Sequence, residues 1–321
     1  MNKSRKFDKV VDFFLQYPAI IAIFCLMVIL SIVSDVFLTA GNLMNVLRQV
    51  SMTAILAAGM CFVAFGGNVD ISVGSTVGLV NVVWAKLMVD MGMNPLLSAL
   101  LCVLMCAVIG VINGVLVARY KFNAMIATFA MQSILRGFVY IVTNSYPIYN
   151  VPESVHWLNK GTIGIVTAPV LIMVVVYVIC WFVATYTKYG RRLYATGGNP
   201  EAAHLSGIKT EKTVIQSYVV VQVSAALAAF ILTARLNAGI PTSGTGWEFE
   251  AIIAAIIGGV SLNGGRGKIP GAFLGAVFVG LLVNGMTLLD IGSYYQQVIK
   301  GVILIGAIFI DSYSGSRKKK A

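Results

Sequence analysis

The chain has 321 residues, of which 58% are hydrophobic and only 11% charged, with a formal net charge of +11. A soluble domain of this size carries about 25% charge, so the deficit, together with long apolar runs, excludes an ordinary soluble protein and points to a polytopic membrane protein. The excess cations sit between apolar runs and at the two ends, which suits a membrane surface and headgroup lipid rather than nucleic acid.

In chain order, Lys3, Arg5, Lys6 and Lys9 precede an apolar run at 18–33 that is long for a secretory signal and lacks a small-x-small cleavage site. It reads as a signal anchor, with residues 1–17 on the cytoplasmic side. About ten spans are expected: 18–38, 48–66, 70–89, 95–118, 123–143, 163–186, 213–235, 248–262, 270–289 and 294–311. The fold class is therefore all-α and polytopic, a single transmembrane domain over 1–321. With the N-terminus inside, Arg119, Lys121, Lys188, Arg191, Arg192, Lys209, Lys212, Arg266, Lys268 and the basic tail at 312–321 all fall on the cytoplasmic side. The outer loops keep Asp35, Asp90, Glu153, Glu248 and Asp290, with Lys160 and Arg235 as their cations. That asymmetry predicts an even number of spans with both ends inside. The longest outer loop, 144–162, reads as a connector, or as a lip of the external mouth carrying a short helix.

Residues 66–78, GGNVDISVGSTVG, combine a glycine pair with Asp70, Ser72 and Ser75. The glycines permit a break at membrane depth, where opened backbone must be satisfied by protein or water. Asp70 either caps the third span or lies beside a translocation path, with Arg136 or Lys300 as its basic partner. Asn68, Asn113, Gln132, Asn284 and Gln296 add uncharged polar groups in or beside spans. Each is helix–helix glue or part of a path for a hydroxylated solute. Asn113-Gly114 and Asn284-Gly285, like Arg136-Gly137 and Lys300-Gly301, recur five spans apart, hinting at an inverted repeat. The pairs Gly66-Gly67 and Gly258-Gly259 do not follow that offset.

Residues 190–212, GRRLYATGGNPEAAHLSGIKTEK, form the most polar internal stretch. Asn199 is a good N-cap, Pro200 suits the first turn, Glu201 complements the helix dipole and Gly207 stops the helix. Residues 200–206 would rise roughly 10 Å, far too short to cross a bilayer, so the helix lies outside the membrane. Residues 235–268, RLNAGIPTSGTGWEFEAIIAAIIGGVSLNGGRGK, end in a glycine-rich turn. That turn is not a phosphate loop, because Leu262 and Ile269 stand where glycine and Ser/Thr are needed. Glu248 and Glu250 are expected near the outer end of the eighth span, facing a docked protein or solvent. The five cysteines lie in apolar runs away from the two histidines, so neither a metal site nor a disulfide framework is expected.

Three of these stretches, YATGGNPEAAHLSGI, GGNVDISVGS (one residue longer than the family signature) and PTSGTGWEF…GGVSLNGGRG, resemble the ribose-type sugar permeases of bacterial ABC importers. The loop lacks the I-x-L-P ending of the maltose-type class. The resemblance implies a type II importer architecture in the inner membrane and a pore formed with a second permease copy. It also implies an ABC ATPase subunit docked on Asn199, Pro200, Glu201, Ala202, Ala203, Leu205, Ser206, Gly207 and Ile208 within the loop 188–212. A periplasmic or lipid-anchored sugar-binding protein would deliver the solute. The expected path residues are Asn68, Asp70, Ser72, Ser75, Asn113, Gln132, Arg136, Asn284 and Gln296, with Glu248 and Glu250 receiving the binding protein. No catalytic residue or cofactor is expected here, and ATP hydrolysis belongs to the partner. An ion-coupled secondary transporter is the alternative; it would want more carboxylates inside spans than Asp70 alone.

Overall fold

The computed structural model describes residues 18–164 and 166–320; the N-terminal segment 1–17 lies outside them. Each expected span corresponds to a helix: α1 (Pro18–Val33), α2 (Ala40–Phe65), α3 (Val73–Val89), α4 (Pro95–Ala118), α5 (Ala124–Thr143), then, after a single-turn α6 (Trp157–Lys160), α7 (Ala168–Tyr186). Two short helices follow, α8 (Lys188–Gly198) and α9 (Pro200–Leu205), and then α10 (Thr210–Leu236), α11 (Trp247–Ile257), α12 (Ile269–Leu288) and α13 (Ser293–Lys320). Six of these, α2, α4, α5, α7, α10 and α12, are long and apolar enough to cross a membrane, and α1 and α3 are shorter apolar helices.

Local chemistry sets the helix ends. Asn94 and Asn123 accept from the first free amides of α4 and α5, and Pro95 supplies the first turn of α4. Gly66 closes α2 and Gly258 closes α11, each followed by a glycine at positive φ, Gly67 (+76°) and Gly259 (+82°). The two pairs that break the repeat offset thus do the same local job.

The bundle has a buried centre and an apolar rim. Of the most apolar stretch of α2, 83% is buried, and of α10, 67%, against 22% for α5 and 28% for α7. The outward residues of the peripheral helices, such as Leu96, Leu104, Ile126, Ile141 and Ile179, are exposed. Such a belt is stable only against hydrocarbon. Small residues let the central helices close up. Gly110 and Gly114 of α4 abut the backbone of α10 at Val219 and Ile215, and Gly280 of α12 abuts Val50 of α2.

Two central helices are incomplete. α3 has 17 residues and α11 only 11, about 25 Å and 16 Å of rise. α11 cannot span a hydrocarbon core of about 30 Å by itself. Its entry segment 238–246 folds back into the bundle, so that Ser243 and Gly244 lie against Gly78 and Gly74 of α3. The eighth expected span therefore ends at Ile257 rather than 262, and the segment that leads into it is irregular backbone lying against α3.

Successive helices alternate direction, which puts the connections 66–72, 119–123, 187–209 and 258–268 on one face. Backbone contacts confirm the grouping: Gly265 N donates to Phe65 O (2.9 Å) and Tyr194 OH to Gly267 O (3.0 Å). On the opposite face Ile148–Tyr149 pairs antiparallel with Ala238–Gly239, and His156 bonds Asn237 (2.9 Å). The loop 144–162 is thereby pinned to the start of the re-entrant segment. Arg119, Lys121, Lys188, Arg191, Arg192, Lys209, Lys212, Arg266 and Lys268 all belong to the first, basic face or its flanking helix ends.

Candidate functional site: a polar junction between broken helices and a short helix on the basic face

The first polar cluster surrounds Asp70, in the segment that enters α3. Its Oδ1 accepts from Ser72 N (2.9 Å) and Ser72 Oγ (2.6 Å), and its Oδ2 from Gln222 Nε2 (2.8 Å) and Asn113 Nδ2 (3.3 Å). Gln222 Oε1 accepts from Thr76 Oγ1 (2.6 Å), and Thr128 Oγ1 accepts from Ile71 N (3.1 Å). Asp70, Ser72, Thr76, Asn113 and Gln222 are fully buried. The carboxylate thus links α4, α10 and the entry to α3, with the Ser72 hydroxyl as its nearest donor. Neither Arg136 nor Lys300 pairs with it, which corrects the expected basic partner: Arg136 donates to Pro241 O and Ser243 O (both 2.9 Å) and Lys300 to Glu250 (2.9 Å).

The second cluster lies where the two broken helices meet. Gln132 Nε2 of α5 donates to Glu248 Oε1 (2.9 Å), and Arg136, one turn on, clamps the carbonyls of the re-entrant segment. Glu248 Oε2 faces Gly74 and is buried without a hydrogen-bond partner, as is Ser75 Oγ. Glu250, two residues on, binds Lys300 of α13 and accepts from Thr53 Oγ1 of α2 (3.3 Å). Glu248 and Glu250 are 2% and 6% exposed, so the expectation that they face a docked binding protein is corrected. The re-entrant segment carries them into the bundle instead of leaving them at the rim.

The remaining polar positions are spread out. Asn284 exchanges amide hydrogen bonds with Asn42 (2.8 and 3.1 Å), a buried α12–α2 staple. Gln296 donates to Ile291 O (2.8 Å) at the start of α13. Asn68 donates to Gly66 O (3.0 Å) and lines a cavity of about 170 Å³ on the basic face with Lys121, Pro200 and Glu211. Sequence reasoning missed Arg48, on α2, whose charge lies near that of Arg235 and whose Nε is buried without a partner. The signal was present, since Arg48 stands at the edge of an expected span.

The short helix on the basic face has the ends its residues dictate. Asn199 Oδ1 accepts from Ala202 N (3.0 Å), Pro200 occupies the first turn, Ile208 N reaches back to Ala203 O (3.1 Å), and Gly207 takes φ +81°. Ala203 is buried, whereas Glu201, Ala202, Ser206 and Gly207 are exposed, and Leu205 projects with 86% of its surface open. Leu205 is thus an apolar side chain projecting from an otherwise polar, exposed stretch. α8, which sequence reading passed over, anchors this helix. Its Leu193 and Thr196 are buried, Tyr189 stacks on Phe62 (6.2 Å, 9°) and Tyr194 packs on Phe65 (4.4 Å). Burial raises the phenol pKa values of Tyr189 and Tyr194, so both rings stay neutral and tyrosine serves here as packing and hydrogen-bond donor.

Residues 42–308 match the family model described as the permease component of a branched-chain amino acid transport system. The ribose import permease protein of Escherichia coli is 38% identical over 302 residues, covering 93% of this chain and 94% of that protein. The ribose import permease of Bacillus subtilis is 38% identical over 303 residues (94% and 92%), and the D-allose transport system permease protein of Escherichia coli 34% over 312 residues (97% and 93%). No solved structure matches significantly. The chain belongs to this family of membrane permease components of ABC importers, and the relatives it matches are transport permeases rather than enzymes.

Proposed function

We propose that this chain is the membrane-spanning subunit through which an ATP-driven importer passes a monosaccharide, ribose before others, across the bacterial inner membrane. The observation that carries the substrate class is near-full-length similarity to permeases whose names specify ribose and allose. The family description names amino acids, but a model spanning many permeases weighs less on substrate than relatives at 38% identity.

In this reading 1–321 is one permease domain with both termini and the loop 188–212 in the cytoplasm, because the basic face is the inner one. Ten helices cross or re-enter the bilayer. The matching pairs α2–α12 and α10–α4, and the two broken helices α3 and α11, support an inverted five-helix repeat. Two copies enclose the pore, an ATPase docks on the Asn199–Ile208 stretch around exposed Leu205, and a periplasmic or lipid-anchored binding protein delivers the sugar from the opposite face. Gln132, Arg136, Glu248 and Ser75 form the polar constriction, while Asp70, Ser72, Asn113 and Asn284 hold the helices that border it. Closure of the ATPases moves α9, and α8 passes the shift to the end of α2, re-biasing an inward-open against an outward-open pore.

The test is uptake of labelled ribose by a deletion strain carrying the complete transporter. Uptake that stops on ATP depletion and persists with an uncoupler is expected. Uptake that stops with the uncoupler and ignores ATP depletion would instead identify an ion-coupled carrier.

A further inference from the structure

A groove of about 320 Å³ opens between α7 and α12, lined by Met173, Tyr177, Val178, Trp181, Pro270 and Phe273 among others, all apolar or aromatic. The Tyr177 hydroxyl is the polar group there, and it is buried without a partner. A sugar with its many hydroxyls gains nothing from such walls; a hydrocarbon chain fits them. α7 descends to the basic face and α12 starts from it, so Trp181, Ile269 and Pro270 mark the end of the groove nearest that face.

Cations gather around that end. Lys268 directly precedes Ile269, and Arg266 stands two residues before it; both are exposed. From the other side, Tyr186 meets Trp181 edge-on at 5.2 Å, and Arg191 of α8 donates to Tyr186 O (3.4 Å). None of Arg191, Arg266 or Lys268 belongs to an ion pair among the described residues. Asp311, which reaches the same loop, is engaged by Ser261 Oγ and Leu262 N.

We infer that this groove binds one anionic phospholipid of the leaflet on the basic face, an acyl chain between α7 and α12 and the phosphate group against Lys268, Arg266 and Arg191. The apolar walls select for a chain already in the membrane and do not distinguish headgroups. The unpaired cations do, each favouring an anionic lipid by roughly fivefold. An anion held between Arg191 of α8 and Lys268 ties α8 to the loop 258–268, beside the existing Tyr194–Gly267 bond, and so steadies the platform that carries α9. The site rests on the membrane-spanning fold and not on the sugar reading.

The experiment is native mass spectrometry of the purified, delipidated full chain titrated with phosphatidylglycerol or phosphatidylcholine. Wild type should retain one phosphatidylglycerol in clear preference. Lys268→Gln combined with Arg191→Gln should lower that retention by roughly 25-fold and leave phosphatidylcholine unaffected, and Val178→Trp should lower both lipids. Both charge positions are exposed, so the double variant tests the rim even if Val178→Trp fails to fold. Equal retention of the two lipids by wild type, or phosphatidylglycerol retention unchanged in the double variant, would overturn the assignment. Because no transport is measured, a wrong sugar leaves this result untouched.

Discussion

Asp70 illustrates how a carboxyl group is accommodated inside a membrane bundle. Four donor contacts from Ser72, Gln222 and Asn113 converge on it, and removing the acceptor strands the Ser72 amide and leaves Gln222 and Asn113 only Ser72 Oγ to donate to. Asp70→Ala should therefore destabilise the detergent-solubilised protein by about 3 kcal/mol, read as a lowered thermal midpoint. Asn at the same position, which keeps an acceptor, should cost clearly less. The Lys300–Glu250 pair makes a second residue-scale prediction. Its side chains are 15% and 8% exposed, so Lys300→Gln strands a buried carboxylate and should cost about 3 kcal/mol. The charge-swapped double variant should recover part of that loss. A double variant no better than the single one would mean that the two groups do not interact. The presence of these polar groups was legible in the sequence, but their partners were not. Asp70 lies 152 positions from Gln222 and 43 from Asn113, and no local spacing rule links such positions.

At the scale of elements, the short helix α9 was readable because its signals are local: an Asn cap, a proline in the first turn and a glycine stop lie within a few residues of one another. α8 was not, because its anchoring face consists of tyrosines and small residues that register as packing only once Phe62, Phe65 and the loop 258–268 are in place. α11 was read too long at its end because Val260 and Leu262 continue the apolar pattern, whereas the chain turns away at Gly258 and Gly259, the latter at φ +82°. The junction below α2 is built from close glycine contacts. Added side-chain carbon at Gly197 would strike the Phe65 carbonyl, Gly264 lies on Gly197 and Gly67, and Gly265, at φ +68°, lies on Gly198. Gly197→Val should therefore displace α8 and α9 from the end of α2, cutting ribose uptake at least tenfold while membrane insertion, followed by fractionation, stays normal. Wild-type uptake in that variant would contradict a rigid junction.

For the whole molecule, composition and charge asymmetry were sufficient to predict a polytopic bundle with one basic face, because the bilayer imposes a length and a polarity on every segment that crosses it. What they left open is which helices are central, since α2 and α4 are both long and apolar and differ in what packs against them. The account of transport depends on Leu205 at the tip of a short helix on that basic face. The most direct measurement is co-purification of the cognate ATPase subunit with the Leu205→Asp permease, alongside ribose uptake in the same cells. The prediction is loss of the ATPase and of uptake, with the permease inserted at wild-type level. An ATPase retained in full by that variant, with normal uptake, would contradict it.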